Sequence, residues 1–197
     1  MMPMRFFEYG EVEITHLKSC CKKLGAVIDE IGKIERAVNP CLFSALIDSI
    51  VGQQISAKAA ATVSKRLYDL CRGDYKNLCN ITTGQIQACG MSMRKAGYIK
   101  GVAEAEINFD DLAQKPDDEI ISTLIALPGV GIWTAEMLLI FSLQRPNIIS
   151  FGDLAIRRGI CKLYNLKSLN KEQFARYAKR YTPYASIASL YLWEISH

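Results

Sequence analysis

The sequence predicts an all-α fold. Apolar residues recur at i, i+3 and i+4 along most of the chain, Gly and Pro fall at the ends of those stretches, and no run alternates for long enough to form a sheet. A chain of 197 residues suits one domain, or one compact unit with two lobes, and is ample for a hydrophobic core.

Leu42, Phe43, Leu46, Ile47, Ile50 and Val51 predict a strongly buried helix over about 41–51. Gly52-Gln53-Gln54-Ile55 interrupts it, and Ser56 is a good N-cap for a second helix reaching about Leu70. Shorter helices are expected over about 15–24, 83–89 and 93–106. Lys115-Pro116-Asp117-Asp118 begins another, with Pro in the first turn and acids facing the positive end of the dipole. Ile120, Ile121, Leu124 and Ile125 give it one apolar face, and Leu127-Pro128-Gly129-Val130-Gly131 stops it. A helix from Trp133 to Leu143 follows at once. Arg145-Pro146-Asn147 ends it, Ile148 to Phe151 is extended, and helices run over about 154–164, 171–179 and 183–195.

Half the residues are apolar and 22% are charged, which excludes a chain dominated by disorder. The net charge of +4 permits a polyanionic partner without requiring one. No stretch is apolar for long enough to span a membrane, and Met1 to Glu8 lacks the apolar core of a signal peptide, so a cytoplasmic location without a membrane partner is expected. The seven cysteines stand at 20, 21, 41, 71, 79, 89 and 161. No pair has C-x-x-C spacing and the count is odd, so buried free thiols are expected rather than a metal site or a disulfide framework.

Three local features invite a functional reading. In Pro128-Gly129-Val130-Gly131, two helices meet at a corner whose glycines allow unusual backbone angles and close approach. Amides before and within the next helical turn are suited to phosphate oxygens, and Thr134 adds a hydroxyl; an ordinary αα-corner with a Gly C-cap fits the same residues. Asp153, 22 residues after Gly131, stands just before the helix starting at Leu154, where a plain N-cap is the usual role of an aspartate. Gln53-Gln54-Ile55-Ser56 puts two amides between two buried helices, where they either cap local backbone groups or do something else, since amides are costly to bury unpaired.

The longer strings carry a family resemblance. Leu127-Pro-Gly-Val-Gly-Ile-Trp-Thr-Ala135 closely resembles the hairpin of the helix-hairpin-helix (HhH-GPD) superfamily of DNA glycosylases, and Phe151-Gly-Asp-Leu-Ala-Ile-Arg-Arg158 resembles the segment that carries its catalytic aspartate. Phe43 to Ser56 looks like the first signature of the 3-methyladenine DNA glycosylase II branch, and Met91 to Ile99 and Tyr181 to Trp193 agree with that branch. The resemblance covers about residues 8–195 and implies a two-lobed helical fold with a cleft between the lobes. It implies a helical lobe over about 30–115, a hairpin and catalytic segment over about 116–165, and terminal helices packed with the N-terminal segment. Larger members carry a β-rich N-terminal domain, which is not expected within these 197 residues.

The resemblance also assigns roles. Gly129, Val130, Gly131 and Thr134 would bind DNA backbone, and the main-chain carbonyls of Ile125, Leu127 and Val130 would hold a monovalent cation, sodium or potassium. Asp153 would be catalytic, stabilising the positively charged sugar and orienting water. Gln54, with Ile55 and Gln53 beside it, would fill the gap left by a flipped nucleotide. Trp133 stands where bifunctional members carry a nucleophilic lysine, which implies a monofunctional enzyme; its ring is either core or the wall of a pocket for a cationic alkylated purine. Only Cys161 lies beyond Asp153, so no iron–sulfur cluster is expected, and no other cofactor. The expected partner is duplex DNA holding a damaged base, acted on by a monomer. A glycosylase for oxidised or deaminated bases, or a non-catalytic DNA-docking module, are the alternatives.

Overall fold

A computed structural model describes residues 5–197. In chain order its elements are β1 (Arg5–Phe6), α1 (Glu11–Cys20), α2 (Lys22–Ile31), β2 (Ala37–Val38), α3 (Leu42–Gly52) and α4 (Ala57–Leu70). A 3-10 turn (Tyr75–Asn80) precedes α5 (Thr83–Ala88), α6 (Met93–Glu104), α7 (Phe109–Leu112) and α8 (Asp117–Ile125). The chain ends with α9 (Ile132–Phe141), α10 (Leu154–Tyr164), α11 (Lys171–Arg180) and α12 (Ala185–Glu194). The expected all-α class holds. The strands amount to one antiparallel pairing, Arg5 with Val38 and Phe6 with Ala37, too short to show any alternation in sequence. The reading of the N-terminus at residues 1–4 lies outside the described residues, among which no helix is long and apolar enough to cross a membrane.

The expected helix over 15–24 is two helices. Cys21 breaks the run with an extended backbone, and its sulfur accepts the amide of Leu24 to cap α2. Cysteine is a weak acceptor, so residue type gave no warning of a cap there. The 3-10 turn and α7 are likewise too short to produce a periodic signal.

The chain divides into two compact units: the N-terminal stretch up to Val38 with Leu139–His197, and Asn39–Leu138. In the first, α1, α2, α10 and α12 surround Leu17, Leu24, Ile28, Ile156, Ile160, Leu190 and Leu192, all buried. Tyrosine hydroxyls there are paired: Tyr9 Oη lies 3.3 Å from Tyr191 Oη, and Tyr191 donates to the Gly32 carbonyl at 3.0 Å. Tyr164 Oη lies 3.1 Å from Tyr181 Oη, and burial pushes the Tyr164 hydroxyl up to about 12. The tightest approach is between α10 and α12. A Cβ on Gly159 would lie 2.2 Å from the Leu192 carbonyl oxygen, so glycine is what lets the two backbones meet.

The second unit is built on α3. Leu46, Ile47, Ile50 and Val51 are fully buried, each worth about 1.5–3 kcal/mol relative to exposure. Helices α4, α6 and α7 pack on it. The part-buried Asp48 carboxylate of α3 accepts the Tyr75 hydroxyl at 2.9 Å. Burial raises its pKa above the ordinary 3.8, against hydrogen bonds from Ser64 and Tyr75 that pull it down. The thiols divide: Cys21, Cys71 and Cys89 are buried as expected, whereas Cys20, Cys41 and Cys79 are exposed.

Two predictions concern stability. Gly159→Ala forces a methyl against main chain that no rotamer can move, so it should cost at least the roughly 1–3 kcal/mol typical of overpacking, read by urea unfolding; a cost under about 0.5 kcal/mol would mean that α10 and α12 separate freely. Because the folded pKa of Asp48 lies above its unfolded value, its contribution is favourable below that value and is lost as pH rises through the folded one. Asp48→Asn keeps an acceptor for Tyr75 and removes this loss. The variant should therefore melt above the parent at pH 7, by a margin that shrinks towards about pH 4, and a pH-independent margin would contradict the assignment.

Candidate functional site

In the second unit the turn between α8 and α9 is shaped by one glycine, not two. Gly129 has φ +80°, and an added Cβ would fall 2.2 Å from the Tyr98 ring. Gly131 has no positive φ, and a Cβ there would meet nothing within 4 Å. Its amide donates to no group among the described residues, while its carbonyl accepts Ala135 N–H at 3.1 Å to start α9. The amide of Val130 is committed, donating to the Leu127 carbonyl at 3.3 Å. Thr134, expected to offer a hydroxyl outward, is instead buried. Of the expected donors, the Val130 amide is therefore engaged within the turn and Thr134 is enclosed, while the Gly129 and Gly131 amides donate to no group among the described residues.

Helix α6 supports the turn from one side. Its residues Lys95, Tyr98 and Gly101 recur at intervals of three on one flank. The Tyr98 ring lies against Gly129, the Arg94 guanidinium sits 5.7 Å from that ring's centre, and Pro128 would be 3.3 Å from a Cβ on Gly101.

The Gln53-Gln54 loop separates into two roles. Gln53 caps α3 and turns its side chain inward, where Nε2 donates to the Gly129 carbonyl at 2.9 Å. The Gln53 amide expected beside the gap-filling side chain is thus engaged with the turn. Gln54 is exposed and has φ +59°, a left-handed conformation that a non-glycine residue adopts at a cost of about 1–3 kcal/mol. Ile55, beside it, is exposed despite being apolar. Sequence reasoning missed Lys95. Its ammonium donates to the Val51 carbonyl at 2.9 Å and also to the Gln53 carbonyl, and burial pushes its pKa down.

Apolar side chains also stand open to solvent around the turn. Trp133 is 44% exposed and Ile132 59%, so Trp133 is no ordinary core aromatic.

In the first unit Asp153 caps α10. Its Oδ1 accepts the amides of Ala155 at 2.9 Å and Ile156 at 3.0 Å, and the residue is 8% exposed. The segment before it anchors through Ser186, whose hydroxyl accepts the Ile148 amide at 2.9 Å and donates to the Arg145 carbonyl at 2.5 Å. Phe151 packs edge-on to Phe174, with the Arg157 guanidinium 5.2 Å from its ring centre. The aspartate thus sits on a short, braced stretch. Among the described residues no group of three or more His, Cys, Asp and Glu is placed to hold a metal ion.

Residues 47–183 match the model of the HhH-GPD superfamily base excision DNA repair proteins. The chain is 30% identical to DNA-3-methyladenine glycosylase 1 of Schizosaccharomyces pombe over 78% of its own length and 72% of that protein's. It is similar in structure to a DNA-3-methyladenine glycosidase from Bacillus halodurans, with a TM-score of 0.87 and 32% identity over 98% of this chain and 93% of that one. A 3-methyladenine DNA glycosylase from Schizosaccharomyces pombe, solved in complex with abasic DNA, gives a TM-score of 0.80 and 28% identity over 94% and 97% of the two chains.

The turn makes its own prediction. Gly129→Ala must strain its backbone and displace Tyr98, and should cost about 1–3 kcal/mol in urea unfolding. Gly131→Ala should stay within about 0.5 kcal/mol of the parent, and equal losses at the two positions would refute the assignment of the turn conformation to Gly129 alone.

Proposed function

This chain belongs to the HhH-GPD superfamily of base excision DNA repair proteins, and from that membership and the local geometry of its site we infer a monofunctional DNA glycosylase for alkylated purines. It extrudes a base of the 3-methyladenine or 7-methylguanine type from duplex DNA and hydrolyses the N-glycosidic bond. The observation that carries this reading is the likeness to a DNA-3-methyladenine glycosidase over nearly the whole chain, within which Asp153 stands nearly buried at the start of α10.

An alkylated purine is cationic, so it leaves readily once the C1′–N bond stretches, and no acid is needed to protonate it. Positive charge then builds on the sugar, where a fixed carboxylate is most valuable. Asp153 supplies that carboxylate, and α10 holds it in place because its Oδ1 accepts two main-chain amides. A fixed group lowers the barrier without reorganising during the reaction. Water adds to C1′ with Asp153 as the orienting group or base, giving an intact abasic strand and the free base. Trp133 cannot form a Schiff base, which supports hydrolysis without strand cleavage. Its exposed ring is suited to the flipped base, since an aromatic face attracts a cationic purine.

The α8–α9 turn docks on the phosphodiester backbone through the Gly131 amide and the first turn of α9. The missing side chain at Gly131 leaves room for that approach. Three neutral carbonyls, of Ile125, Leu127 and Val130, are donors suited to a sodium or potassium ion that would brace the turn; the Leu127 oxygen already accepts one amide and retains a second lone pair. Gln54, with Ile55, fills the space of the extruded nucleotide. Double-stranded DNA is the partner, and a monomer suffices.

Asp153→Asn should lower the release of methylpurines from alkylated DNA by about a hundredfold or more while leaving the melting temperature near the parent's, because Asn also caps helices. Borohydride should trap no covalent protein–DNA adduct with the parent. Release within about tenfold of the parent, or efficient trapping, would remove Asp153 or the hydrolytic route from the mechanism.

A further inference from the structure

Lysine at the third position of a helix is locally unfavourable, because its charge meets the positive end of the dipole. Lys95 stands there in α6, two residues past its first, with its own amide bound to the Ser92 hydroxyl of the cap at 3.3 Å. Nothing in α6 repays this placement. What Lys95 reaches lies far back in the chain: the carbonyls of Val51 and Gln53, at the C-terminal end of α3. The last carbonyls of a helix lack partners, and a cation there is favourable both as donor and as charge.

The contact does not stop at a cap. Gln53, whose carbonyl Lys95 holds, sends its side chain to the Gly129 carbonyl. Gly129 in turn lies under Tyr98, one helical turn along α6 from Lys95. The result is a closed ring: α6 to the loop through Lys95, the loop to the turn through Gln53, and the turn back to α6 through Tyr98. The residue next to Gln53, exposed and in a left-handed backbone, is Gln54. Strained conformations of this kind persist only where the surroundings over-determine them.

We propose that Lys95 is a positioning residue for base extrusion, which through Gln53 locks the Gln54 loop to the α8–α9 turn so that docking the turn on the phosphate backbone sets how far Gln54 reaches into the duplex. This rests on the reading of Gln54 as the gap-filling side chain. Lys95 itself touches neither base nor sugar. The ring couples a sequence-independent contact to a lesion-dependent one: a turn seated on phosphates carries Gln54 to a fixed depth, and a weakly paired base yields to it first.

The test is a double-mutant cycle on Lys95→Met and Gln54→Ala, with Gln53→Ala as a second route to the same break. Three readouts are needed: affinity for undamaged duplex, brightening of 2-aminopurine placed beside an abasic analogue, and kcat and KM for release of 3-methyladenine. Lys95→Met keeps the aliphatic stem and loses the donors. Among folded protein, verified by circular dichroism, it should lower brightening and kcat by about tenfold while undamaged-duplex affinity and KM stay within about twofold. Gln53→Ala should do the same, and Lys95→Arg should recover most of the loss. In the Gln54→Ala background, Lys95→Met should add little, because its route to the DNA has already been removed. Additive losses, or equal losses of undamaged-duplex affinity, would overturn the proposal and make Lys95 a structural cap. The glycosylase reading fails separately: a parent that brightens the probe without releasing any methylpurine refutes the activity and leaves the positioning role intact, and a parent that neither brightens nor releases overturns both.

Discussion

The ends of helices, more than their packed faces, govern this molecule. Each terminus leaves four main-chain groups without intrahelical partners, and these must be met by side chains, water or a ligand. The residues of the proposed site sit at such ends. Asp153 satisfies two amides at the start of α10, and Lys95 satisfies the Val51 and Gln53 carbonyls at the end of α3. The Gly131 amide, ahead of α9, donates to no group among the described residues. What is met internally becomes rigid; what is left unmet becomes available to a nucleic acid.

That division explains how a small helical protein positions chemistry without a metal or an organic cofactor in the proposed mechanism. A carboxylate that caps a helix has its orientation set by the backbone, so the same bonds that stabilise α10 aim Asp153. The Gln53-Gln54 pair shows the complementary arrangement. Two identical side chains in sequence are separated by backbone geometry, with one committed to the protein and the other turned out by its left-handed φ.

The parts legible in sequence were those written in local rules. The helix from Leu154 to Tyr164 is bounded as expected because Asp153 caps one end and Asn165, in a left-handed conformation, closes the other. Ser56 opens α4 in the same way, its hydroxyl accepting the Ala59 amide. The break at Cys21 was hidden because a thiol rarely caps a helix. The inward turn of Gln53 and the reach of Lys95 were hidden for a different reason: their partners lie 76 and 44 residues away, respectively, and no local pattern records such a contact. The unusual backbone angle expected of the hairpin glycines occurs at Gly129 and not at Gly131, where the space beside the backbone is open.

The left-handed backbone at Gln54 also limits what evolution can place there. β-Branched residues tolerate that conformation badly, while Asn and Gly adopt it with ease. Drift at this position is therefore channelled by the backbone: Asn would relax the loop yet shorten the exposed side chain, and Gly would relax it further and remove that side chain. Among relatives that keep the same turn, a long side chain at the matching position would mark a protein that retains conformational stress for the sake of reach, and a small one would mark a protein that has surrendered reach for a more stable fold.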